Sequence, residues 1–176
     1  MEAPGKCQDE LLVAVRKTCA MVKVNGRGTF KVGPALKRFG ASAIEKDCTQ
    51  IIFDMESCLG MDSTFMGVLA GLALRVQRES AGRVIAMNLT AKTASLLQTL
   101  GLDRLVECHL GGELPDALRA NLADVLDLKD LATGDDSKRM SIETMLDAHQ
   151  DLVEAAPENL TRFRDVITYL DQDLKD

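Results

Sequence analysis

The chain has 176 residues, 46% hydrophobic but only 3% aromatic, a composition for an aliphatic globular core and against a disordered chain. No apolar run reaches the roughly 18 residues of a membrane span, and residues 1–6 lack a basic-then-apolar leader pattern, so a cytoplasmic protein without membrane insertion is expected. The net charge of −6 is unevenly placed, +3 over residues 1–112 and −9 over 113–176. That split argues against nucleic-acid binding by the whole chain, and it implies an acidic tail lying against its own core or a basic partner.

Two short strands open the chain, at 11–15 and 19–24, the second with clear alternation. Asn25-Gly26-Arg27-Gly28 has turn chemistry. A helix follows over 33–46, with Pro34 in its first turn and Ala35, Leu36, Phe39, Ala43 and Ile44 at helical spacing. A buried strand at 51–55 leads through a short polar turn to a helix over 63–79. Gly82 breaks the chain before a strand at 83–87. Thr90 caps a short helix ending at Leu100-Gly101, and 105–108 is the last strand before Gly111-Gly112. Strands alternating with helices at this spacing give right-handed βαβ units. The fold class expected is α/β, a small mixed sheet covered on one face by helices, plus a C-terminal helical hairpin.

The tail reads separately. Residues 115–131 form an amphipathic stretch with Leu118, Leu122, Val125 and Leu126 on one side, read as an extended terminal helix. A linker over 132–140 includes Thr133-Gly134-Asp135-Asp136-Ser137. Ser141 is expected to cap a helix carrying Ile142, Met145, Leu146, His149, Leu152 and Val153 on one face. Pro157 starts another, with Leu160, Phe163, Ile167, Leu170 and Leu174 at a/d spacing. Two such helices need a third surface to bury their stripes. They are expected to dock on the core or to pair with a second copy as a homodimer. The domain reading is therefore 1–9 as an N-terminal tail, 10–131 as the globular domain, 132–140 as linker and 141–176 as the hairpin.

Chemistry concentrates at Asp62-Ser63-Thr64, which opens the helix that continues through Phe65, Met66 and Gly67. Capping alone is the commonest role for such residues. The position also places a hydroxyl where backbone N–H groups and the helix dipole await an anion. A phosphate on Ser63 would add about −1.5 to −2 charges there. The fold could keep it while a docked apolar partner could not. Along this helix Phe65, Val68, Leu69, Leu72 and Val76 form a sheet-facing stripe. The opposite side, Met66, Gly67, Ala70, Gly71 and Leu74, is too apolar for water alone. Either the acidic tail covers it or a partner element approaches it closely.

Other chemistry finds little footing. There is no Gly-x-Ser-x-Gly elbow and no phosphate-binding loop. His109 and His149 have no evident carboxylate or cysteine partner, and His149 on an apolar stripe reads as a packed, hydrogen-bonded ring. Asp54 and Asp62 bracket the loop after the central strand, but nothing else completes a metal site. The five cysteines, at 7, 19, 48, 58 and 108, have no zinc or redox spacing and read as reduced, mostly buried thiols.

The order of these segments resembles the STAS domain, the anti-sigma factor antagonist family. Met61-Asp62-Ser63 is similar to its central motif, in which the serine after Met-Asp is reversibly phosphorylated. Val24-Asn25-Gly26-Arg27-Gly28-Thr29-Phe30 is similar to its early Gly-containing loop, and Asn88-Leu89-Thr90 through Leu100-Gly101-Leu102 to the segment entering its last strand. The resemblance implies a partner-switching protein that binds an anti-sigma factor with serine-kinase activity. Phosphorylation on Ser63 would release it, and a serine phosphatase would reset it. No cofactor is implied, because the nucleotide belongs to the kinase. It implies partner contacts from Asp62, Phe65, Met66, Gly67, Ala70, Gly71 and Leu74, and from Gly26, Arg27, Gly28 and Thr29. The chain departs from the family's usual Ser-Ser-Gly with Ser63-Thr64-Phe65, which makes Thr64 a second hydroxyl candidate, and it lacks the acidic residue common in the early loop. The alternatives are a non-switching STAS scaffold or transporter-accessory subunit, and a small hydrolase with Ser63 as nucleophile.

Overall fold

The computed structural model describes residues 8–122 and 127–176. Strands β1 (Glu10–Arg16) and β2 (Cys19–Gly28) pair antiparallel as a hairpin. Helix α1 (Gly33–Glu45) follows, then β3 (Gln50–Asp54), the short β4 (Cys58–Met61) and helix α2 (Ser63–Ser80). Next come β5 (Arg83–Leu89), α3 (Ala91–Thr99), a 3-10 turn at Leu102–Arg104 and β6 (Glu107–Leu110). Helix α4 (Asp116–Leu122), the two-residue β7 (Lys129–Asp130), and helices α5 (Lys138–Ala155) and α6 (Asn159–Lys175) complete the chain. The main sheet runs β6-β5-β3-β2-β1-β7, parallel from β2 through β6 and antiparallel at the β1 and β7 edge.

Alternation along the central strands decides which layer each residue joins. Ile51 and Phe53 of β3 face the large core beneath α1 and α2, with Leu36, Leu69, Val76 and Val84. Ile52 faces the other way, into a smaller cluster of Met21, Ile85, Met87 and Leu118, the last from α4. Helices thus form the thick layer on one face, and one turn of α4 closes part of the other. The mixed α/β architecture with its C-terminal helices is the expected one.

Several boundaries differ from the sequence reading. Residues 25–28 are the extended end of β2 rather than a turn. They pair with β4 through a register shift between Gly26 and Arg27, with Gly26 at φ +79. The polar turn after β3 contains that fourth strand. The last core strand sits two residues later, because the 3-10 turn takes up Leu102–Arg104. The stretch 115–131 is not one helix: α4 stops at Leu122, and Lys129–Asp130 pair with Val13 and Leu12 of β1. Val125 and Leu126, like Cys7 and the rest of residues 1–7, lie outside the described residues. Helix α5 begins at Lys138, capped by Ser137, whose side chain accepts from the Met140 N–H, and not at Ser141.

The hairpin docks on the core. Helix α5 lies along α2 and also meets α1, while α6 packs back on α5. Ala148, Leu152 and Phe163 join the main core, and Ile142, Leu146 and Leu170 make a separate cluster between the two helices. Leu160, the first residue of the heptad stripe, is exposed.

Candidate functional site

Asp62 organises the start of α2. Its Oδ1 accepts from the Phe65 N–H at 2.8 Å, the usual cap bond, and its Oδ2 accepts from the Phe30 N–H at 2.7 Å. The Asp62 N–H donates to the Gly28 carbonyl at 2.9 Å. One aspartate thereby ties the early glycine loop to the helix. Gly28 has a steric reason: a Cβ there would sit 2.6 Å from the Phe65 ring. Phe65 itself is fully buried beneath that backbone, on the sheet side of α2. Arg27, near the end of β2, is exposed, and its N–H donates to Asp9. Phe30 and Leu59 stand exposed in the segments flanking this end of α2.

Ser63 is the first residue of α2 and is half-buried. Its Oγ lies 3.0 Å from Nε2 of His149 on α5. The other ring nitrogen, Nδ1, is 2.6 Å from the Met145 carbonyl. A carbonyl only accepts, so Nδ1 carries the proton; in the neutral ring Nε2 then accepts from the Ser63 hydroxyl. The imidazole is 4% exposed and meets the Phe163 ring edge-on, centroids 5.0 Å apart. Thr64, the second hydroxyl, is buried.

The outer side of α2 is filled by α5. A Cβ at Gly67 would strike the backbone carbonyl of Ala148, and one at Gly71 would strike the Asp151 carboxylate. Met66 and Ala70 are buried, and Leu74 is half-buried. Basic groups of the core face acidic groups of the hairpin and its linker. Lys37 pairs with Asp147, Arg38 with Asp136 at 2.6 Å, Arg78 with Glu154 at 2.8 Å and Arg104 with Glu158 at 2.6 Å. Asn159, 2% exposed, donates from Nδ2 to the carbonyls of Leu100 and Leu152 and anchors the base of α6 against α3. Between α1, α2 and α5 remains a cavity of about 350 Å³, lined in part by Lys37, Arg75, Arg78, Asp147 and Asp151. Burial pushes the Asp151 carboxyl up to about 6, with Asp147 and Glu154 adding to the rise and Lys37 and Arg78 opposing it.

Other sequence candidates serve the fold. Asp54 Oδ1 accepts from the Glu56 N–H and from Asn88, so its carboxylate braces the end of β3. Among the described residues no group of three or more potential metal ligands gathers. Burial raises the thiols of Cys19, Cys48 and Cys58, and that of Cys108 to about 11, which keeps them protonated and unreactive. His109, expected to lack a carboxylate partner, has one: its Nε2 lies 2.8 Å from Oε1 of Glu107 on the same strand. The sequence reading also missed the Ser63–His149 pair. Its members lie 86 positions apart, and no local pattern joins them.

A small mixed sheet covered by helices, one of them opening at an aspartate-capped serine, places the chain among mixed α/β folds. The STAS domain family matches residues 10–117, and the chain belongs to that family. The match ends before α5 and α6. Among solved structures, an anti-sigma factor antagonist from Mycobacterium paratuberculosis is 22% identical, with a TM-score of 0.52 over 68% of this chain and 97% of its own. A putative anti-sigma factor antagonist from Thermotoga maritima is 14% identical, with a TM-score of 0.53 over 63% and 92%. At these identities the likeness is one of fold. No curated protein matches the sequence.

Proposed function

We propose that this chain is an anti-sigma factor antagonist-like partner-switching protein. It binds an anti-sigma factor with serine-kinase activity through the Ser63 end of α2, and phosphorylation at Ser63 ends that binding. The observation that carries the reading is Ser63 itself, a hydroxyl at the first position of an aspartate-capped helix on a STAS domain. The helix N-terminus tolerates a phosphate, whereas an apolar surface docked over it does not. In the transfer, Ser63 Oγ bonds to the γ-phosphorus of ATP held by the kinase. The bond to the ADP oxygen breaks, and the hydroxyl proton passes to a base.

A non-switching STAS subunit draws on a specific observation too, since Ser63 already has a structural task in holding His149. A hydrolase would use the same pair as nucleophile and base. The imidazole, however, is oriented by a carbonyl, not by a carboxylate that would stabilise its charged form, and it is buried between helices. The discriminating experiment is mass spectrometry of the Ser63 peptide from native cells, grown and stressed, beside a Ser63→Ala control. Phosphate on Ser63 is expected. Its absence in every condition overturns the switch and leaves the pinning role.

A further inference from the structure

We propose that the C-terminal hairpin is an intramolecular gate over Ser63, seated on the face that a partner would use, and that a seated hairpin and a phosphorylated Ser63 exclude one another. The inference deepens the reading of Ser63 as the modified residue and rests on it. Three observations converge. The hydroxyl that would receive the phosphoryl group is the donor to His149, so the transfer removes the proton that makes the bond. The ring occupies the space beside Oγ, is nearly unexposed, and is held by the Met145 carbonyl and the Phe163 edge, so it has no room to step aside while α5 stays down. The outer face of α2 is filled at backbone distance, with Gly67 beneath the Ala148 carbonyl and Gly71 against Asp151. A kinase active site therefore reaches Ser63, and a partner reaches Met66, Gly67 and Ala70, only with the hairpin lifted.

The contact is built to be reversible. Its ion pairs join side chains that are mostly exposed, and along α2 it meets the small residues Gly67 and Gly71, while Leu152 and Phe163 supply its large apolar side chains. A separate cluster of Ile142, Leu146 and Leu170 holds α5 to α6, so the two helices lift as a unit. The hairpin thus imitates a docked partner and meets the same repulsion from a phosphate on Ser63.

The test needs no kinase. In Ser63→Cys, iodoacetamide labelling of residue 63, followed on its own peptide, is expected to be at least tenfold slower than in Ser63→Cys/Gly67→Leu, where the new side chain strikes α5. Equal rates overturn the gate. In the second arm, Ser63→Glu in the full chain is expected to raise hydrogen exchange of residues 138–175 at least tenfold while residues 50–54 and 83–89 keep wild-type protection. Wild-type protection of the hairpin overturns the gate, and so does loss of protection in the strands as well, because the gate requires a core that stands without it. These outcomes are independent of whether phosphate is found on Ser63 in cells, so a failed gate and a failed switch are told apart.

Discussion

The two faces of α2 are built from different materials. Toward the sheet it presents Phe65, Leu69 and Val76, all fully buried among large aliphatic neighbours. Toward α5 it presents Gly67, Ala70 and Gly71 beside Met66, and at Gly67 the backbone of the second helix comes into direct contact. The inner face gains stability from area removed from water and is hard to separate. The outer face meets Ala148 and Leu152 of α5, is flanked by exposed ion pairs, and ends in one hydroxyl–imidazole bond. A single helix thus joins a layer packed through large side chains to one packed at its glycines.

Breaking the inner face has the largest effect. Phe65→Ala leaves a cavity under Gly28 and should destabilise the whole domain by about 3–5 kcal/mol, seen as a lower urea midpoint in a transition that includes the strands. Overfilling the outer face is milder and local. Gly67→Leu should weaken hairpin seating by about 1–3 kcal/mol. At the same time it gives α2 a better helix former than glycine, by roughly 1 kcal/mol. Limited proteolysis should then cut within residues 127–137 while the core resists; a resistant tail would equate the two faces.

The pH response of the outer face sharpens the contrast. Asp151 has a carboxyl raised from 3.8 to about 6 when α5 is seated. The seated state therefore holds the proton more tightly, and the stability linked to it is present below about pH 4 and lost as pH rises through 6. Because water reaches this carboxylate, the effect should be on the order of 1 kcal/mol. Hairpin protection in hydrogen exchange should be greater at pH 5 than at pH 7.5, and Asp151→Asn should flatten that difference. The smallest effect is ionic. At about 1 M salt the Debye length is roughly 3 Å, and the four core-to-tail pairs, each worth about 0–1 kcal/mol, should weaken. Hairpin exchange should quicken slightly while exchange in β3 and β5 stays constant.

The parts of the fold legible in the sequence were those with a strong period or a strong cap. Helices α1 and α2 carry apolar residues at helical spacing, and β3 and β5 are compact apolar runs between glycine and polar breaks. Strand β4 was not legible because Cys58-Leu59-Gly60-Met61 has neither length nor alternation, and its partner at the end of β2 is marked by glycines that read as a turn. Helix α5 starts earlier than expected because its first turn, Lys138-Arg139, is polar and adds nothing to the apolar stripe. Likewise β7 is visible only through its pairing with β1. At the site, Asp62 and Ser63 were recognisable as a helix opening, and the apolar outer side of α2 as a face needing cover. That α5 provides the cover, and that His149 meets Ser63, depends on how two distant segments fold back, which no short window of sequence contains.

Strand β7 gives the tail a fixed point. Its two residues pair with Leu12 and Val13, a few positions before α5 begins, so a lifted hairpin remains tethered beside the surface it left. A short tether of this kind keeps its cargo at an effective concentration in the millimolar range. Any external competitor for α2 meets that local reservoir before it meets an open face. Each tenfold by which the seated form outnumbers the lifted one weakens a partner's apparent Kd tenfold. A substitution on the α5–α6 seam, at Leu146 or Leu170, would then retune partner affinity without altering one atom of the docking face.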